Sequence, residues 1–233
     1  MSQRYLTLIQ ENLTAVIARI ENACRDASRN PKSVSLLAVS KTKPIEAVQS
    51  AYHLGLRHFG ENYLQDALPK VANFPAPTWH FIGQIQSNKT RDIAAHFDVV
   101  HGVASEKIAS RLNAHRPQTK PPLGVFLQVN LVNEASKGGV SPETLPRLIH
   151  HVLSCEHLTL LGLMGMPPAS YDLTERSHFF QNLRALQQTL KTDLPQDCFT
   201  ELSMGMSDDL EVAIAAGATW IRVGSALFGD RSH

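Results

Sequence analysis

Apolar positions follow two rhythms along this chain. Leu6, Leu13, Val16, Ile17 and Ile20 recur at helical spacing, which predicts an amphipathic helix from about Gln3 to Ala27, stopped by Asn30-Pro31. Beyond it, short apolar runs of strand character alternate with helix-like segments. Strands are expected over Ser35–Ser40, Arg57–Phe59, Trp79–Ile82, Asp98–His101, Leu123–Val129, Leu158–Leu163, Phe199–Ser203 and Trp220–Val223. The intervening helices are expected over Pro44–Leu54, from about Asn62, from about Ser87, after His101 through Leu112, from Ser141, over Leu173–Lys191 and over Asp208–Ala216. A last short helical turn follows strand eight. Pro44 opens its helix in the first turn, and Ser141-Pro142-Glu143 supplies a cap with proline at N1.

Eight strand–helix units behind one extra helix predict an α/β fold, a single (β/α)8 TIM barrel over residues 1–233. An open doubly wound sheet is the alternative. No linker or low-complexity stretch interrupts the series.

Composition narrows the field of functions. Apolar residues make up 43% of the chain and charged residues 18%, and a net charge of +1 gives no bulk attraction to nucleic acid or an anionic membrane. Any anion site must be local. Cys24, Cys155 and Cys198 lie far apart, so neither a disulfide framework nor a zinc knuckle is expected. No segment reaches the ~18 apolar residues of a membrane span, and a cytoplasmic protein is expected.

Active sites of such barrels lie at the C-terminal ends of the strands. Lys41 ends the first apolar run and shares a strand face with Leu37 and Val39. An amine held against apolar walls favours its neutral form, a nucleophile toward aldehydes. A solvated lysine in a strand-to-helix loop is the alternative. After strand seven comes Ser203-Met204-Gly205-Met206-Ser207-Asp208-Asp209, with Ser207 as a candidate N-cap. After strand eight comes Arg222-Val223-Gly224-Ser225-Ala226-Leu227-Phe228-Gly229, where Gly224 permits close approach and Ser225 can cap a short helix. Barrels often bind phosphate with these two loops. The two aspartates make Gly224 and Ser225 the safer phosphate ligands, and capping alone is the other reading of both serines. A phosphate site and a strand-end lysine suggest a phosphorylated aldehyde between them, of which pyridoxal 5′-phosphate (PLP), held as a Schiff base, is the common one.

The motifs Leu37-Ala38-Val39-Ser40-Lys41-Thr42-Lys43, Phe59-Gly60-Glu61-Asn62-Tyr63, Trp79-His80-Phe81-Ile82-Gly83 and Gln86-Ser87-Asn88-Lys89 occur in this order ahead of the two turns. Together they resemble the pyridoxal-phosphate homeostasis protein family over nearly the full length. The resemblance implies a fold-type III barrel like the N-terminal domain of alanine racemase, with PLP on Lys41 and phosphate contacts from Ser207, Gly224 and Ser225. It also implies Arg222 near the pyridine nitrogen and Asn62 lining the ring pocket.

A guanidinium facing that nitrogen makes the ring a weak electron sink. Alanine racemase, as the relationship implies, also uses a tyrosine from the C-terminal β domain of a partner subunit. The sequence ends at His233, so that domain is expected to be absent, and Tyr5, Tyr52, Tyr63 and Tyr171 offer no evident substitute. Tyr63 reads as a packed residue of the second helix. The expected function is therefore a non-catalytic, monomeric PLP carrier in vitamin B6 homeostasis. It would deliver cofactor to apo PLP-dependent enzymes, with indirect effects on amino-acid and keto-acid balance. A low-activity PLP-dependent amino-acid racemase is the alternative.

Other residues make lesser claims. Lys43 and Lys137 sit in loops on the site face and are read as phosphate attractors, acceptors of departing cofactor, or solvated lysines. Met164, Met166, Met204 and Met206 cluster near strands six and seven, where Met204 can pad the ring or simply fill irregular packing. His80 and His101, at the expected strand ends, read as structural or hydrogen-bonding histidines without metal-ligand spacing. Asn133 to Gly139 is a candidate gating loop.

Overall fold

The computed structural model describes residues 3–132, 138–195 and 197–229. Lys137, and all of the candidate gating loop except Gly138 and Gly139, lie outside the described residues. The chain opens with α1 (Gln3–Asp26) and continues through β1 (Ser35–Val39), α2 (Ile45–His53), β2 (His58–Glu61), α3 (Leu64–Asn73), β3 (Thr78–Phe81), α4 (Thr90–His96) and β4 (Val99–Val103). It proceeds through α5 (Glu106–His115), β5 (Leu123–Gln128), α6 (Leu145–Leu153), β6 (Leu158–Met164), α7 (Leu173–Lys191), β7 (Glu201–Met206), α8 (Leu210–Ala215), β8 (Trp220–Val223) and α9 (Ser225–Phe228). The strands are parallel and close in sequence order, with β8 pairing back onto β1 through Leu37↔Arg222 and Ala38↔Val223.

Strand residues alternate between two buried surfaces. Ala38, Phe59, Val100 and Leu127 join one apolar cluster with helix residues such as Val48, Ile93, Leu148 and Phe180. Leu37, Gly60, His80, His101, Phe126 and Arg222 are buried on the other surface, inside the barrel. α1 buries Ile9, Leu13, Val16 and Ile20, and packs on α8, α2 and α9, bracing the ring where it closes. Ile17, counted in the apolar stripe, faces water instead.

Several boundaries differ from the sequence expectation for local reasons. Strand seven starts at Glu201, because Phe199 has φ +60°, outside extended backbone. α6 starts at Leu145, because Ser141 to Thr144 close a turn through Thr144 N–H on the Ser141 carbonyl, and Pro146 takes the first helical turn. Pro44 is the N-cap of α2, one position before its first turn. His80 and His101 lie inside β3 and β4, not at their ends. Among the described residues the three cysteines are free, no helix is long and apolar enough to cross a membrane, and no group of His, Cys, Asp and Glu can hold a metal.

Candidate functional site

Lys41 lies two residues past the end of β1, half-buried in a turn whose next residue, Thr42, has φ +63°. The strand therefore does not itself carry the lysine to the rim; a strained turn does. The turn is tied down on both sides. Ser40 Oγ donates to Glu61 Oε1 at 2.6 Å, and the Lys43 ammonium donates to the Gly229 carbonyl at 2.9 Å. Lys70, from α3, donates to the same Glu61 oxygen at 2.7 Å and to the Ser40 carbonyl at 2.9 Å. This ion pair is buried, with side-chain exposures of 9% for Lys70 and 0% for Glu61. Burial pushes the Glu61 carboxyl upward against the pull of Lys70 and Ser40. Glu61 Oε2 and the neighbouring Asn62 Oδ1 are buried without a hydrogen-bond partner among the described residues. Gly83 comes so close to the Asn62 carbonyl that no Cβ fits between them. Tyr63 is 55% exposed at the N-cap of α3, which corrects its reading as a packed helical residue.

Arg222, on β8, is buried. It is 5% exposed inside the barrel, donating to Ser203 Oγ at 2.8 Å and to the Gly165 carbonyl at 3.3 Å. Burial lowers its pKa to about 10, with Asp209 pulling the other way. Ser203 Oγ also contacts His101, which contacts His80, which contacts His58. His80 and His101 are thus hydrogen-bonding histidines, and burial holds both well below the usual imidazole range.

The two glycine-serine turns carry corrected caps. Asp209, not Ser207, is the N-cap residue of α8; its buried carboxylate accepts from Met206 N–H at 2.6 Å and from Arg176 at 3.1 Å. Ser207 contributes its carbonyl to Arg19 of α1, which also pairs with Glu211. Gly224, not Ser225, is the N-cap of α9, so Ser225 is the first helical residue and the leading N–H groups have no acceptor within their own turn. An ideal Cβ on Gly224 would lie 3.4 Å from the Val39 carbonyl, placing this turn against the end of β1. Asn12 of α1 holds the Leu227 carbonyl at 3.0 Å. Met204 is wholly buried in the apolar core of β7.

The seven residues singled out by sequence thus fall on consecutive strands in barrel order: Met204 and Ser207 on or after β7, Arg222, Gly224 and Ser225 on or after β8, Lys41 after β1, and Asn62 after β2. A cavity of about 530 Å³ opens beside this arc, lined by Gly83, Gln128, Asn130, Met166, Met206 and Asp209 among others, and by none of the seven. Sequence reasoning missed Lys70 and His58 entirely. Glu61 and Ser203 lay inside recognised motifs, but without an assigned role.

Residues 12–232 match the family described as alanine racemase, N-terminal domain, which sets the class of the barrel. The pyridoxal phosphate homeostasis protein of Pseudomonas aeruginosa is 52% identical over 231 residues, spanning 98% of each chain. The protein of that description from Escherichia coli K12 is 41% identical over 230 residues, spanning 97% of each. The chain belongs to this pyridoxal phosphate homeostasis family. Among solved structures, PipY of Synechococcus elongatus PCC7942 with PLP bound superposes with a TM-score of 0.79 at 39% identity, covering 91% of this chain and 100% of that one. Alanine racemase of Clostridium difficile 630 superposes at 0.75 with 13% identity, covering 97% of this chain and 58% of the racemase, a likeness of fold alone.

Proposed function

We propose that this protein binds pyridoxal 5′-phosphate through the Lys41 amine and serves PLP homeostasis as a monomeric, non-catalytic cytoplasmic reserve that supplies apo-enzymes. The observation that carries this reading is the arc from β7 to β2, which sets an amine, a buried guanidinium and the uncapped start of α9 side by side. The residues suit the cofactor. Asn62 Oδ1 is a buried acceptor in want of a donor, and Arg222 uses two of its five N–H groups inside the protein. Gly224 and Ser225 present backbone N–H groups to a phosphate, with Ser207 across the neighbouring turn. Met204 lies instead in the apolar cluster shared with the helices.

When bound, PLP supplies an aldehyde for an amine and a ring that can accept electrons. The chain restrains the second property. A donor-only guanidinium at the ring nitrogen leaves no place for a proton there. The racemase alternative needs a second acid/base facing the substrate carbon, and retention or loss of the substrate α-proton separates the two readings.

The test is borohydride reduction of PLP-loaded protein with peptide mapping, followed by incubation of unreduced protein with single-enantiomer alanine, serine and threonine in deuterated water. The expected result is one adduct, on Lys41, and retention of every α-proton. An adduct elsewhere, or none, ends the site assignment; steady α-proton loss ends the carrier reading in favour of the racemase.

A further inference from the structure

One polar line crosses the barrel interior on side chains from β8, β7, β4, β3 and β2. Arg222 Nη1 donates to Ser203 Oγ at 2.8 Å, and Ser203 Oγ lies 2.8 Å from His101 Nδ1. His101 Nε2 lies 2.9 Å from His80 Nδ1, and His80 Nε2 lies 3.0 Å from His58 Nδ1. Ser203, His101 and His80 have no exposure at all. Aromatic rings wall the line: Phe126 packs on His101, and Trp220 on both His80 and His58.

Hydrogen-bond arithmetic gives the line a direction. Arginine only donates, so Ser203 must accept from it. The serine hydroxyl has one proton, and its other contact among the described residues is His101 Nδ1. If His101 donated instead, that hydroxyl proton would be buried without an acceptor, a costly state. Donation therefore runs from Arg222 through Ser203, His101 and His80 to His58. Each imidazole is neutral, with Nδ1 accepting and the proton on Nε2. The surroundings agree: burial opposes protonation of all three imidazoles, His80 and then the Arg222 cation add to it at His101, His58 adds to it at His80, and among the described residues only Asp98 favours protonation, at His58.

We propose that Ser203, His101, His80 and His58 are positioning residues for Arg222, a one-way chain that fixes the guanidinium and leaves its remaining N–H groups for the ring nitrogen of bound PLP. This rests on the reading of Arg222 as the ring-nitrogen partner. A proton added at His58 Nδ1 removes the last acceptor, so the chain must break or reverse. Acidity at the start of β2 is thereby transmitted to Arg222, on the strand that closes the barrel.

Imidazole ¹⁵N spectra of the labelled protein, with and without PLP, test the direction. Nε2–H tautomers are expected for all three histidines at pH 7; an Nδ1–H tautomer or a cation at His80 or His101 overturns the chain. PLP retention and the absorbance of bound PLP test the purpose. Ser203→Ala should lower retention roughly tenfold, the worth of about one hydrogen bond, and shift the absorbance, while Ser203→Thr restores both. A Ser203→Ala protein that retains PLP and keeps the wild-type spectrum removes the positioning role. Wild-type protein that takes up no PLP removes the cofactor reading itself, and the role with it, whatever the tautomers; the two failures are told apart by the wild-type control.

Discussion

Lys70 and Glu61 meet at 2.7 Å inside the barrel wall, and Ser40 completes the contact through both its hydroxyl and its carbonyl. Lys41 and Asn62, the neighbours of Ser40 and Glu61 in the chain, are therefore held by one buried charge pair. Such a pair is worth little over an apolar replacement, but removing one partner strands the other.

Lys70→Met should cost about 3–5 kcal/mol in urea unfolding, because it leaves the Glu61 carboxylate uncompensated. Adding Glu61→Gln should recover part of that loss. A single-variant cost below about 1 kcal/mol would mean that the pair is solvated and anchors neither residue.

Gly83→Ala should loosen the cofactor site by displacing the Asn62 backbone. The new Cβ would stand 2.9 Å from the Asn62 carbonyl carbon and 3.1 Å from its Cα, so the Asn62 backbone must move. PLP retention by gel filtration should fall about tenfold or more, a displacement being at least as damaging as one lost hydrogen bond. Unchanged retention would place Asn62 outside the site.

Stability should fall with acid through the histidines. The folded state holds His80 and His101 neutral, well below 6.5, whereas the unfolded chain takes up protons near 6.5. The stabilisation is present above that pH and is lost as pH drops below it. Between pH 7 and 5 each histidine should lower the unfolding free energy, by at most about 2 kcal/mol. Urea melts at the two pH values measure the loss, and His101→Phe should halve it. A flat profile would mean that both imidazoles take up protons in the fold as readily as in the unfolded chain.

Arg116→Leu should lower the melting temperature. The buried guanidinium donates to the carbonyls of Ala94 at 2.7 Å, Phe97 at 2.6 Å and Pro121 at 2.8 Å, closing α4 onto the loop before β5. Stranding these acceptors should cost about 3 kcal/mol, or roughly 6–12 °C in Tm by calorimetry. Arg116→Lys should restore only part, since one ammonium cannot span the fork.

The barrel was legible because its repeating unit is local: an apolar run, a turn, an amphipathic helix. α7 has the bounds that periodicity predicts, and β8 likewise. Misplaced boundaries share one cause, turn chemistry that mimics a helix or strand start. Ser141-Pro142 resembles a capped helix yet closes a separate turn, and Ser207 resembles a cap that Asp209 fills instead. Lys41, Arg222 and the glycine-serine turns stand out in the sequence through their motifs and their nearness to strand ends. Lys70 was not, because a lysine on a helix ordinarily reads as solvated. His58, His80, His101 and Ser203 come from β2, β3, β4 and β7 and have no common spacing; barrel closure alone makes them neighbours.

The seam between β1 and β8 has a consequence for how the protein is made. Lys41 and Asn62 belong to the first third of the chain, Arg222, Gly224 and Ser225 to its last dozen residues, and the Leu37↔Arg222 pairing joins the two groups. On the assignment proposed above, a nascent chain would present the Lys41 amine well before the strand that carries Arg222 has been made. On that assignment, cofactor loading would follow the closure of β8 onto β1.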